Sequence, residues 1–287
     1  MPRGSSRAPP AVKPGAALLL ATLIAALLAT AAAILIDQAR GVRAATGEGG
    51  RLEASRMQAM ALSEAALVAL DSGEALALDG GALALPQQVG AGAVRLQEAS
   101  GLVDLNTAPP DRLSALFVAL GVARERAEAL ADRIADWRDT DDLKRLHGAE
   151  EADYLAADLW PPANRPFELE IEIARVLGVS QQLADCLAPY LTVDASWSYV
   201  DIAHSPPPIR NAFLHATHGA PVASIGAPIG QVVLITAEAP ISDRAVYRLM
   251  RWVRLTGDPA RPALVHRARA EIARANAPVL QSCAGVS

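Results

Sequence analysis

The hydrophobic and polar positions of the chain fall into distinct regimes, and the first is uninterrupted. Ala16 to Ile36 holds no charged residue, and Thr22 and Thr30 are its only polar side chains. As a helix this run would be about 31 Å long, the thickness of a bilayer hydrocarbon core. Arg3, Arg7 and Lys13 precede it without an acid among them, which orients the N-terminus to the cytoplasm. A run with no polar face fits a buried globular helix poorly. The competing reading is a secretory signal cleaved near Ala31-Ala32-Ala33, although such apolar cores usually span ~7–15 residues. From Asp37 to Leu70 the spacing predicts helix, with Leu52, Met57, Met60, Leu62, Leu67 and Leu70 as apolar positions. Gly41, Gly47, Gly49 and Gly50 are expected to break or bend it.

Short apolar runs then alternate with glycine. Leu76-Ala77-Leu78, Leu83-Ala84-Leu85 and Val94-Arg95-Leu96 predict short strands and turns. The helical period returns at Asp111: Leu113, Leu116, Phe117 and Leu120 share one face, and Ala127, Leu130, Ile134 and Trp137 the next. Pro109-Pro110 is the start signal. Residues 160–166, with three prolines, predict a linker, followed by helices near 167–177 and 180–190. Val232 to Thr236, Ala245 to Leu255 and Pro262 to Arg267 are candidates for strands or one more helix, and the tail from Ala275 is expected to be loose. The pattern as a whole predicts an α+β fold. It also contains an echo: Val103-Asp104-Leu105-Asn106-Thr107-Ala108-Pro109-Pro110 recurs, degraded, as Val200-Asp201-Ile202-Ala203-His204-Ser205-Pro206-Pro207. Each copy reads as an extended segment feeding a proline-started helix.

Composition narrows the function classes. With 52% hydrophobic and 20% charged residues the chain is not disordered, and 4% aromatics argue against a stacking surface for nucleic acid. The net charge is −5. Without the basic leader it falls to −8, which disfavours a phosphate backbone as partner and suits divalent cations. Cys186 and Cys283 cannot build a disulfide scaffold or a four-cysteine zinc site. Cys186 sits in a helical stretch and reads as a small buried apolar residue; a bridge to Cys283 is permitted beyond the membrane, and sequence alone leaves it open.

The densest chemistry is acidic. Residues 101–195 carry eighteen acids against nine Lys and Arg, a local −9. Asp136, Asp139, Asp141 and Asp142 fall within seven residues, and Glu150, Glu151 and Asp153 follow a glycine turn at Gly148. Hard oxygen ligands at this density suit calcium, which takes about 6–8 oxygens in flexible geometry. The spacing departs from the EF-hand loop, and a solvated loop neutralised by Arg138, Lys144 and Arg145 is the alternative. Asp136, Asp139, Asp141, Glu150 and Asp153 are the candidate ligands. The stretch from Leu105 through Leu120-Gly121-Val122 to Trp137 is laid out like a helix-hairpin-helix unit, whose backbone amides can hold a DNA phosphate. A functional version needs a positive rim, whereas Glu125, Glu128, Asp132 and Asp136 surround this one. No catalytic residue is assigned. The five histidines show no metal-ligand spacing, no Gly-x-Ser-x-Gly elbow occurs, and His204 and Ser205 are adjacent in an extended stretch, which points them to opposite sides.

These motifs resemble the minor pseudopilin K family of the bacterial type II secretion system. The likeness is most specific in residues 101–110, in Ile134 to Asp142 with Gly148-Ala149-Glu150, and in Leu187-Ala188-Pro189-Tyr190-Leu191-Thr192-Val193. The resemblance implies a pilin-like αβ domain with a large inserted helical domain of helix-hairpin-helix type. The corresponding boundaries are a leader at 1–15, a transmembrane helix at 16–36, pilin-like parts at 37–110 and 196–274, an insertion at 111–195 and a tail at 275–287. It implies cleavage between Gly15 and Ala16 by a prepilin peptidase, methylation of the new N-terminus, a single pass of the inner membrane and a C-terminal domain in the periplasm. Minor pseudopilins I and J are the implied partners at the tip of the pseudopilus, calcium the implied ion, and nucleic acid is not expected. Ala16 departs from the bulky apolar residue usual after the cut, Gly47 to Gly50 interrupt the long helix, and Ala203-His204 replace Asn-Thr in the second echo. The fifth mature position, where ordinary pilins keep glutamate, is Leu20. A lone carboxylate in hydrocarbon is costly, so leucine suits both a tip subunit with no earlier neighbour and a plain anchor. The rival functions are a membrane-tethered DNA receptor of competence type and, more weakly, a secreted enzyme.

Overall fold

The computed structural model describes residue 47 and residues 49–72, 76–86, 89–195, 198–213, 229–258, 260–275 and 282–286. The leader, the apolar run 16–36 and the Gly15–Ala16 junction lie outside the described residues. Among the described residues no helix is long and apolar enough to cross a membrane. The chain divides into two compact units, Met1–Glu53 and Ala54–Ser287, and the architecture below is that of the second.

In this unit helix α1 covers residues 54–71. Gly49 and Gly50 are helical, contrary to the expected break. Each glycine costs about 1 kcal/mol relative to alanine. The helix buries Ala59, Leu62, Ala66 and Leu70 against a sheet face made by Val94, Leu96, Val233, Ile235, Ala237 and Val253.

That sheet has five antiparallel strands in the order β1-β2-β5-β6-β7. They are β1 (Asp79–Leu83), β2 (Ala93–Glu98), β5 (Val232–Ser242), β6 (Ala245–Asp258) and β7 (Arg261–Arg274). The Leu76-Ala77-Leu78 run is not a strand; pairing starts at Asp79. The last three strands run well beyond their apolar cores, and none is helical. Stretches such as Ala268-Arg269-Ala270 are made of good helix formers, and they become strand because β6 supplies their hydrogen bonds: Arg251↔Ala268, Met250↔Arg269, Leu249↔Ala270. Pro240 sits in β5 where β2 has already ended, since Ala93 pairs with Glu238. Its missing N–H therefore costs no ladder bond on that side.

The chain leaves the sheet after β2 and returns at β5 as β2's neighbour. The described residues between form a helical body with its own core, drawing on residues from Leu102 to Phe213 and on Cys283. It is thus wider than the 111–195 stretch that resemblance suggests. Its elements are β3 (Val103–Asp104), α2 (Pro110–Ala119), α3 (Arg124–Arg138), α4 (Glu151–Ala156), α5 (Gln181–Leu187), β4 (Leu191–Thr192) and α6 (Pro207–Phe213). Instead of a helix over 167–177 there is a short 3-10 turn, Glu170–Arg175. The preceding backbone is spent elsewhere: Phe167 N donates to Asn106 Oδ1 at 2.7 Å, Asn106 Nδ2 donates to Phe167 O, and the Phe167 ring stacks on Trp137 at 4.1 Å.

The echoed segments are structurally equivalent. Asp104 Oδ1 accepts from the amides of Asn106 and Thr107 and Asp201 Oδ1 from that of Ala203. Each aspartate shapes the turn before a helix that opens on proline, Pro110 in α2 and Pro207 in α6. The tail is not loose over its described part, because Cys283 is bonded to Cys186 of α5.

Candidate metal centre

The acidic cluster forms where α3 ends. Asp136 lies on the buried face of the last turn, between Ala135 and Trp137, and is wholly inaccessible. Its Oδ2 accepts from the amides of Arg145 (3.2 Å) and Ala149 (3.0 Å), so the 139–149 loop folds back over it. A Cβ at position 148 would overlap that same Oδ2, so the loop closes only with glycine there. Asp139 caps the helix, and Glu150 occupies the N-cap position of α4. Loop and helix therefore bring Asp136, Asp139 and Glu150 together.

Four carboxylate oxygens of this group lack hydrogen-bond donors. Asp136 Oδ1, Asp139 Oδ1 and both oxygens of Glu150 are buried without a hydrogen-bond partner. Arg145 supplies positive charge nearby, its Nε 3.2 Å from Asp136 Oδ1 and its Nη2 3.7 Å from Asp139 Oδ2. That does not offset the crowding. Burial, followed by the charges of Asp136, Asp139, Asp142 and Asp141, pushes the Glu150 carboxyl up to about 7. Burial also raises Asp136, with the Asp139 charge adding to it, and burial followed by Asp141 raises Asp139.

The other two predicted ligands stand differently. Asp141 is exposed, its Oδ1 accepting from Leu143 N. Asp153 is turned to other work: Oδ2 accepts from Glu150 N at 3.0 Å and Oδ1 pairs with Lys144 Nζ at 2.7 Å. The Lys144 hydrogen bond, then that from Glu150, holds its carboxyl below the usual range. Asp153 positions Glu150 and does not face the orphaned oxygens. Among the described residues no three His, Cys, Asp or Glu side chains already stand in ligand geometry. The oxygens are gathered but not drawn onto one point. Their chemistry, hard, anionic and donorless, fits a calcium-sized cation that would pull them together.

Elsewhere in the body, both glycine hairpins are plugged. At Leu120-Gly121-Val122, Gly121 has φ +94°, and Cys283 N (2.6 Å) and Ser282 Oγ (3.2 Å) donate to Leu120 O. Arg126 Nη1 holds Val286 O. A second hairpin, absent from the sequence reading, lies at Leu177-Gly178-Val179, with φ +87° at Gly178. The repeated Leu-Gly-Val was its available signal. Leu177 N donates to Tyr154 Oη, and Arg133 Nη1 donates to Leu177 O. His204 and Ser205 are buried and committed to structure: His204 Nδ1 lies 2.9 Å from Asp201 Oδ2 and 3.2 Å from Glu98 Oε2, and Ser205 Oγ donates to Asp201 O.

Residues 92–195, which contain the acidic cluster and both hairpins, match the family model described as type II secretion system, protein K. That stretch is similar to protein K; the rest of the chain lies outside the match. A type II secretion system protein K from Escherichia coli is 33% identical over 88 residues, which are 30% of this chain and 26% of that protein, so the match spans about a quarter of the relative's length. A chain in the crystal structure of the GspK-GspI-GspJ complex from enterotoxigenic Escherichia coli superposes with a TM-score of 0.47 at 18% identity, covering 82% of this chain and 99% of that one. Within the matched stretch, Asp136 and Asp139 end α3 and Glu150 stands at the N-cap of α4.

Proposed function

We propose that the protein is a minor pseudopilin: a structural subunit that helps initiate the type II secretion pseudopilus and caps its tip together with minor pseudopilins I and J. The observation that carries this reading is the match of residues 92–195 to protein K, a stretch that forms most of a helical body inserted between two adjacent strands of a sheet. A body that broadens one side of the sheet suits a terminal position better than a repeating one. The apolar run 16–36, with its basic flank, supports a single inner-membrane span with the remainder exported. A disulfide is in keeping with an oxidising compartment beyond that membrane. Cleavage between Gly15 and Ala16 by a prepilin peptidase, with methylation of Ala16, completes the reading. Either hairpin would have to shed its covering contacts before it could hold a phosphate, and the acidic surroundings would oppose the step.

Calcium belongs to the same proposal. Asp136, Asp139 and Glu150 are its ligands, with Asp141 close enough along the loop to join them, and the ion would fix the α3–α4 connection. The support is the set of buried oxygens without donors. Co-expression of the full chain with pseudopilins I and J tests the main reading: a 1:1:1 complex is expected, and a persistent monomer at high micromolar concentration would overturn it. Mass spectrometry of the mature N-terminus should give a start at Ala16. A start near Ala33 would remove the anchor.

A further inference from the structure

Beside the acidic cluster the matched stretch exposes an unusual amount of apolar surface. Trp160 is 90% exposed and Leu146 87% exposed, and Leu143, Leu155 and Leu159 are exposed as well. A single surface leucine is ordinary; an almost fully solvated tryptophan among four leucines is not. The Lys144–Asp153 pair at 2.7 Å pins the loop carrying Leu143 and Leu146 to the first turn of α4, whose later residues lead to Leu155 and Leu159. The tryptophan is presented on a fixed arc. Leu159 N donates to Tyr154 O at 2.9 Å, Asn164 N donates to Trp137 O at 3.1 Å, and Pro161 and Pro162 stiffen the residues between. An aromatic anchor already held in place loses little entropy on docking.

Charge decides what can dock. Residues 139–160 contain seven acids and two cations, and both cations are engaged with cluster acids, Lys144 with Asp153 and Arg145 with Asp136 and Asp139. Asp142, Glu151 and Asp158 are exposed around the leucines. An anionic bilayer surface would be repelled, and a second copy would bring like charges face to face. We infer that Trp160 and its leucine neighbours form a docking surface for a different folded protein, one that presents an apolar cleft rimmed by Lys and Arg. This goes beyond the pseudopilin reading and does not depend on bound calcium.

The test places a photoreactive benzoylphenylalanine at position 160 of the full chain in secreting cells. One discrete adduct with another polypeptide is expected, its crosslinked peptide carrying Lys or Arg beside an apolar residue. Combining Glu151→Lys with Asp158→Asn, neither of which is a metal candidate, should cut the adduct at least fivefold while the melting temperature holds. Adducts with lipid alone, with a second copy alone, no adduct, or a yield indifferent to the charge changes would each overturn the inference. Trp160→Ala supplies the second measurement. It should lower secretion while pseudopilins I and J still co-purify, and unchanged secretion, or loss of both partners, would also overturn it. Failure of the pseudopilin reading would appear separately, as absence of I and J from the parent protein.

Discussion

At the scale of single residues, the acidic cluster turns on where each carboxylate points. Gly148→Ala would force a methyl group onto Asp136 Oδ2, and overpacking of this kind costs about 1–3 kcal/mol. Urea unfolding in calcium-free buffer should show that loss; an unchanged midpoint would mean that the loop does not close over Asp136. Glu150 gives a pH signature. Its folded value of about 7 lies above the ordinary 4.5, so the stability it contributes is fully present below pH 4.5 and is lost as pH rises through 7. In the presence of chelator, the parent should therefore become less stable between pH 4.5 and 7, with a shallower decline in Glu150→Gln. Calcium should raise the melting temperature most at the alkaline end of that window, where Glu150 is ionised and can bind. An equal calcium response in Asp136→Asn would sink the ligand assignment. The presence of a cluster was legible in the sequence, because seven acids in eighteen positions announce themselves. The division of labour was not. That Asp153 is spent on Lys144 and the α4 cap, while Glu150 keeps two orphaned oxygens, depends on a fold-back the spacing does not encode.

At the scale of elements, legibility followed the range of the interaction that fixes each one. Helices α2 and α3 are set by their own 3.6-residue period and by proline, and they appear as expected; Leu113, Leu116 and Phe117 are fully buried, as are Leu130 and Ile134 to within a hundredth of their surface. Strands β5 to β7 were legible only in their apolar centres, because their ends are held by neighbouring strands and not by propensity. The helical spacing over 167–177 yields only the Glu170–Arg175 turn because Asn106, sixty-one residues earlier, takes the Phe167 backbone. The second hairpin was visible in principle as a repeated Leu-Gly-Val, but a three-residue match has no force until the chain is folded. Both hairpin glycines lie in the left-handed region, where a side chain costs roughly 1–2 kcal/mol. Gly178→Ala should pay that cost in addition to a clash with the Arg133 guanidinium. A melting temperature unchanged in Gly178→Ala would mean that the second hairpin can relax without penalty.

At the scale of the whole molecule, the question is what keeps the helical body fixed to the sheet that carries it. Arg267 of β7 reaches across: Nη1 and Nη2 grip Glu170 at 2.9 and 2.7 Å, Nη2 also takes Asp194 at 2.9 Å, and the guanidinium lies 3.8 Å from the centre of the Trp252 ring. The second tie is covalent. Cys186 belongs to α5 of the helical body, and Cys283 follows the last strand of the sheet, so their bond closes a loop with a sequence separation of 97 that contains the return to the sheet and all of β5 to β7. A loop of that length predicts roughly 4–5 kcal/mol from chain entropy, although measured values more often reach about 2–4. Reducing agent should therefore lower the urea midpoint of the parent to that of the Cys186→Ser, Cys283→Ser double variant and leave the variant where it was. Arg267→Lys separates the two ties. It keeps the charge but not the planar fork that serves two carboxylates and an aromatic face at once, so it should destabilise the oxidised protein. Partial breakage of a half-buried ionic network sets the scale at about 1–3 kcal/mol. If disulfide and guanidinium brace the same junction, the loss should be larger in the disulfide-free background than in the parent, because the covalent tie no longer holds the body while the ionic one fails. Strictly additive losses would mean that the two act on separate parts of the fold.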